Sequence, residues 1–157
     1  MSHPVHTIVV RRFDASAERV FNAWFNPVWL GRWMFGPGMQ DEPFVSLSRD
    51  ARVGGKFSFV VNRQGTEVDH VGEYLEIDRP RLLVFTWETR DSLPETSRVI
   101  VEITPREPGC EVKITHVMGA GWSAQIDRAA GVWSKILDAL EEAIAQESGR
   151  RAVESTL

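Results

Sequence analysis

Four histidines, one cysteine and a scatter of carboxylates are the side chains here that could move a proton, ligate a metal or attack an electrophile. His3 and His6 stand near the N-terminus with no thiolate or nearby carboxylate to complete a metal set, and two imidazoles alone make a poor site. His70 and His116 fall in runs of alternating residues. In Val112, Ile114, His116 the imidazole closes the apolar side of a strand, where a neutral ring can both donate and accept. His116 is therefore the candidate acid/base or ligand-orienting group; the competing role is a strand-end ring held by a carbonyl or a water. Cys110 sits in a turn after Pro108-Gly109 without a neighbouring His, and there is no Gly-x-Ser-x-Gly elbow, so nucleophilic catalysis lacks its parts. Gly36-Pro37-Gly38 and Gly54-Gly55 lack the Lys-Ser/Thr that would hold a nucleotide. Hydrolase and kinase chemistry are excluded.

The remaining polar candidates are Tyr74, Asp69, Glu73, Glu76 and Glu88. Strand alternation turns inward either Glu73 with Leu75 and Ile77, or Tyr74 with Gly72 and Glu76. Residue order leaves that choice open. An unpaired buried carboxylate is costly, so the carboxylates are expected on a solvated face.

The chain has 157 residues, the length of one domain with an ordinary core. Lysine and arginine number 18 against 22 acidic residues, a net charge of −4. Without a basic surplus there is no footprint for a phosphate backbone or an anionic membrane surface. One cysteine rules out an intrachain disulfide and a Cys-rich zinc site. No cofactor or metal motif is present, no leader is visible, and no run reaches the roughly 18 apolar residues of a membrane span. These features predict a cytoplasmic protein, and they leave a homodimer open.

The elements that must position the candidates follow from periodicity. Thr7 to Phe13 is β-branched and reads as a strand. Ser16 caps a helix carrying Val20, Phe21, Trp24 and Phe25 on one stripe. Pro27 opens a second short helix with Trp29, Leu30, Trp33 and Met34. From about Phe44 to Met118 the period is two, with glycine- and proline-bearing turns, giving an antiparallel meander of about six strands. Ile126 to Ile144 is a long helix with a stripe that includes Ala130, Trp133, Leu137 and Leu140. From Ser148 a frayed tail is expected. The fold class is α+β: a curved antiparallel sheet wrapped around the C-terminal helix, in the order β-α-α-β6-α, as a single domain over 1–157 with its core at about 5–147.

Six tryptophans and eight phenylalanines against one tyrosine give large rings with little hydrogen-bonding demand. A bent sheet cannot touch a straight helix everywhere, so some of these rings are expected to line a cavity. The rings expected there are Trp33, Phe59, Phe85, Trp87 and Trp133, with Met34 and Met118 as adaptable filler. Tyr74, His116 or a tryptophan N–H would orient a ligand.

Several segments resemble the family named for the activator of Hsp90 ATPase, within the START-like (Bet v 1-like, helix-grip) superfamily. They are Phe13 to Trp24, Arg32 to Pro37, Gly54-Gly55-Lys56-Phe57, Val71 to Trp87, and Trp133 through Leu140. The family usually places Gly directly before the terminal-helix Trp, whereas Val132 here separates Gly131 from Trp133. The resemblance implies a helix-grip domain around an apolar cavity. Members bind lipids, hormones, polyketides or aromatic compounds, and some catalyse cyclisation. The expected function is binding of a small apolar or aromatic molecule in the space between the sheet and the C-terminal helix. A cyclase- or dehydratase-like enzyme using the same cavity and a chaperone-interacting regulator are the alternatives; an Hsp90-type partner is not expected.

Overall fold

A computed structural model describes residues 5–25, 44–89, 97–119 and 126–155. Strand β1 (Val5–Phe13) leads into helix α1 (Ala17–Ala23). Six strands follow: β2 (Phe44–Arg49), β3 (Lys56–Arg63), β4 (Thr66–Asp78), β5 (Leu82–Thr89), β6 (Ser97–Arg106) and β7 (Gly109–Met118). Helix α2 (Ile126–Ser155) completes the described chain. The second short helix expected from Pro27, with Trp33 and Met34, lies outside the described residues.

All seven strands form one antiparallel sheet in the order β1-β7-β6-β5-β4-β3-β2. Consecutive strands β2 to β7 are neighbours, as hairpin connections require. The exception is β1, which pairs with β7 at the far edge. Alternation decides the faces. Phe57, Phe59 and Val61 of β3, Val99, Val101 and Ile103 of β6, and Val112, Ile114 and His116 of β7 are buried on the inner face. Leu137 and Leu140 of α2 have no exposure at all and join the same core. The amphipathic pattern of the last helix thus finds the apolar face it needs.

Three polar devices hold the helices in place. Ser16 caps α1 by accepting from the Arg19 amide at 3.2 Å. Arg79 then covers the Phe21 and Phe25 rings, 5.1 Å from each centroid, and donates to Asn22 Oδ1 at 2.5 Å. On the other side Arg11 of β1 reaches into α2, pairing with Asp138, donating to Ser134 Oγ at 3.0 Å, and lying 3.6 Å from Glu141. The last helix is therefore latched to β1, which among the described strands lies at the edge of the sheet.

The choice left open at Gly72 to Ile77 is resolved by a β-bulge. Tyr74 stands opposite Phe85 but Glu76, not Leu75, stands opposite Val84. Two residues of β4 pass one position of β5, and the alternation resets. Tyr74 and Ile77 both face inward as a result, while Glu76 goes out. The two alternatives that a regular strand would separate are both partly realised.

Helix α2 continues to Ser155, where a frayed tail was expected from Ser148. The last stretch holds Arg150, Arg151, Ala152 and Glu154, good helix formers that extend a helix without an apolar stripe. Among the described residues no helix is long and apolar enough to cross a membrane.

Gly72 shows how tightly the inner face is packed. A Cβ there would lie 2.0 Å from the Thr86 carbonyl oxygen and 2.4 Å from the Phe57 ring. Gly131, on α2, has nothing within 4 Å of that position. Gly72→Ala is expected to destabilise the protein by about 2 kcal/mol or more, because a buried ring and a strand must both shift. Gly131→Ala should be neutral or stabilise by up to ~1 kcal/mol through helix propensity. Urea denaturation of the two variants checks both signs, and equal effects would refute the packing argument.

Candidate functional site

The inner face of strands β3, β4 and β5 is a continuous aromatic surface. Phe57 is at its centre: its ring lies 4.9 Å from Phe59, 5.4 Å from Tyr74, 5.9 Å from Phe85 and 5.9 Å from Trp87, centroid to centroid. Gly72, opposite Phe57 in the register, leaves the room that this ring occupies. Tyr74 continues the surface to Phe25, at 5.5 Å, and Trp24 bridges Phe85 and Trp133 at 6.2 and 6.3 Å. Rings at these separations and tilts attract one another beyond the area they bury.

Trp87 differs from its neighbours. It touches Phe57, Phe59, Phe85 and the His70 ring, yet it keeps part of its surface exposed. Phe59, Phe85 and Trp133 are almost wholly buried. Met118 is buried at the end of β7, two positions beyond His116 on the same face.

His116 anchors a line of hydrogen bonds. The Trp133 indole N–H, which can only donate, gives its proton to His116 Nδ1 at 3.1 Å. The neutral ring must then carry its own proton on Nε2, which donates to Ser97 Oγ at 2.8 Å. Ser97 in turn donates to the Trp87 carbonyl. Helix α2 and strands β7, β6 and β5 are joined in that order. Burial holds the His116 pKa down at about 4. A second proton on Nδ1 would also face the indole N–H, donor against donor, which acts in the same direction. Both ring nitrogens are committed to protein partners, and neither is turned toward open space.

Tyr74 is 3% exposed, and its phenol is raised to about 12, chiefly by burial, with the nearby charge of Arg49 acting the opposite way. It stays protonated across the physiological range and is available as a hydrogen-bond donor. Asp69, Glu73, Glu76 and Glu88 project from the outer face, where Asp69 accepts from Ser58 at 2.6 Å. Among the described residues no group of three His, Cys, Asp or Glu side chains is placed to hold a metal ion. An open groove of about 630 Å³ on that outer face, lined by Val10, Leu82, Glu102 and Lys113 among others, lies away from the rings and has charges of both signs.

Of the residues singled out in the sequence, Phe59, Tyr74, Phe85 and Trp87 share one surface, and His116 and Trp133 adjoin it through Trp24. Phe57 and Trp24, which are not among those candidates, connect the others, and Ser97 joins them through His116. Phe57 was detectable as the first residue of the Phe57, Phe59, Val61 alternation. Ser97 was not, because nothing in the sequence marks which hydroxyl will meet an imidazole 19 residues away.

The folded chain refuses a proton at His116 that the unfolded chain accepts between its ordinary pKa of 6.5 and about 4. The stabilisation is therefore complete above about pH 6.5 and is lost as pH falls toward 4, by about 3 kcal/mol in all. The urea midpoint should fall over this window, and His116→Gln should flatten the fall. An unchanged pH slope in the variant would refute the assignment.

A family model described as activator of Hsp90 ATPase homolog 1-like protein matches residues 14–145. No curated protein matches the chain by sequence. Solved structures share its fold: a protein of unknown function from Staphylococcus aureus superposes with a TM-score of 0.81 at 16% identity, covering 94% of this chain and 98% of that one. An uncharacterised protein from Rhizobium leguminosarum gives 0.78 at 20% identity, with 93% and 97% covered. A protein from Chromobacterium violaceum gives 0.74 at 23%, with 87% and 94% covered. At such identities the likeness is one of fold alone. With the family match spanning most of its length and the sheet grasping a long terminal helix, this chain belongs to the activator of Hsp90 ATPase homolog 1-like family.

Proposed function

We propose that this protein binds a small apolar or aromatic molecule between the inner face of the sheet and the C-terminal helix. The observation that carries the reading is Trp87. It is a large ring on the inner face, packed against four aromatic side chains, and it is not sealed from solvent. A large ring that stays partly exposed amid buried aromatic side chains supports a contact with an apolar molecule there. Desolvation supplies the affinity, at about 25 cal/mol per Å² of apolar area removed from water. Tyr74 is the polar group suited to orient the molecule.

Binding is favoured over a cyclase- or dehydratase-like reaction by the state of His116. A general acid/base needs a ring nitrogen within reach of substrate. Here one nitrogen accepts from Trp133 and the other is bonded to Ser97. The imidazole is a strut between helix and sheet.

Native mass spectrometry of the freshly purified protein should reveal a co-purified small molecule, and apolar aromatic ligands should change the tryptophan fluorescence. Trp87→Ala should raise the Kd of such a ligand about tenfold, the loss of one ring face of contact. A strictly apo mass together with no fluorescence response across an apolar panel would overturn the proposal.

A further inference from the structure

Arg49 is out of place for a surface arginine. It is the last residue of β2 and stands opposite Phe57. Directly paired residues of antiparallel strands share a face, so Arg49 is on the side of the sheet that carries Phe57 and Tyr74. Phe57, its cross-strand partner, packs 5.4 Å from the Tyr74 ring, and the guanidinium charge acts to lower the phenol's pKa. Its Nε is buried with no hydrogen-bond partner. Among the described residues no carboxylate pairs with it, whereas Arg11, Arg52, Arg81 and Arg106 each have an acidic neighbour. The nearby carboxylates of β4 and β5, Asp69, Glu73, Glu76 and Glu88, project from the opposite face.

A guanidinium is always charged and has donors only. Burying one of those donors without an acceptor is costly, and a bound anion removes the cost. Beside it the Tyr74 hydroxyl is a neutral donor. Two donors, one of them a fixed positive charge, at the edge of an apolar aromatic surface match a flat anion attached to an apolar body. The charge count selects the anion. One cation balances a carboxylate, while a phosphate dianion would leave an uncompensated negative charge next to the rings.

Resting on the reading of the inner face as an apolar binding surface, we propose that the ligand is an amphiphilic carboxylic acid whose carboxylate is held by Arg49 and Tyr74 while its apolar body lies against Trp87.

The test uses three carbon frames, naphthyl, indolyl-propyl and decyl, each supplied as the carboxylate and as the matching primary alcohol. Titrations follow tryptophan fluorescence and calorimetry on the full chain. At least one frame should bind ~10-fold or more tightly as the carboxylate, the size expected of a charge-assisted hydrogen bond. Arg49→Gln should erase that preference and leave the alcohol's Kd within about twofold, and Arg49→Lys should restore part of it as a point charge. Tyr74→Phe should weaken the carboxylate more than the alcohol. Thermal unfolding of each variant confirms that it is folded. Equal binding of acid and alcohol by the wild type overturns this inference and leaves the apolar-binding reading standing. So does an Arg49→Gln variant that loses both alike. A folded wild type that binds none of the six compounds counts against both readings. Tighter binding of naphthyl phosphate than of naphthoate would also overturn the carboxylate assignment.

Discussion

A buried indole N–H has to give its proton to something, and that requirement at Trp133 organises much of this molecule. The ring is 4% exposed, and His116 receives the proton. Once Nδ1 accepts, the tautomer is fixed, the second nitrogen must donate, and the line ends at a strand carbonyl by way of Ser97. Apolar packing of α2 against the sheet is not directional, and many small rotations of the helix would bury similar area. The donors and acceptors admit very few. Each member polarises the next, and removing one leaves a buried partner without its bond. The angle and height of the terminal helix over β5 to β7 are thus set by polar groups, even though its adhesion comes from hydrocarbon.

This arrangement explains the unusual ring chemistry of the chain. Phenylalanine dominates where the inner face is crowded, around Phe57, because it brings no polar atom to be satisfied. Tryptophan occupies positions where its polar edge can be used or its bulk can span a gap: Trp133 ties the helix to β7, and Trp24 connects Phe85 to Trp133. The single tyrosine stands where the aromatic surface meets a positive charge. Cation and phenol thus occupy one end of a largely apolar face, giving that face a direction.

The fold was legible in the sequence to the extent that it depends on period. The change from a spacing of three and four to a spacing of two at Phe44, and back again near Ile126, marks the sheet and its helix. The inward aromatic strands could be read from alternation alone. The bulge after Tyr74 could not, since it is a count of residues against a partner strand that the sequence does not identify. For the same reason Arg49 was invisible as an inward-facing charge. Its side is decided by the register with Phe57 across a second strand, and that register shifts between Phe44 and Ser46. Local pattern specifies which residues share a face; pairing specifies which face it is.

The position of β1 has a consequence for how the protein is made. Phe13 pairs with Cys110 and Val5 with Met118, so the first strand must wait for the last. At ordinary translation rates that is on the order of ten seconds during which β1 has left the ribosome and its partner does not yet exist. Thr7-Ile8-Val9-Val10 is the sort of short β-branched segment that pairs with copies of itself on neighbouring nascent chains. Arg11 and Arg12 follow it directly, in the position that gatekeeper charges take beside such segments. In the finished protein Arg11 has a different task, gripping Asp138 and Ser134 on the terminal helix. The charge that flanks the young strand is the one that later fastens the last element to it.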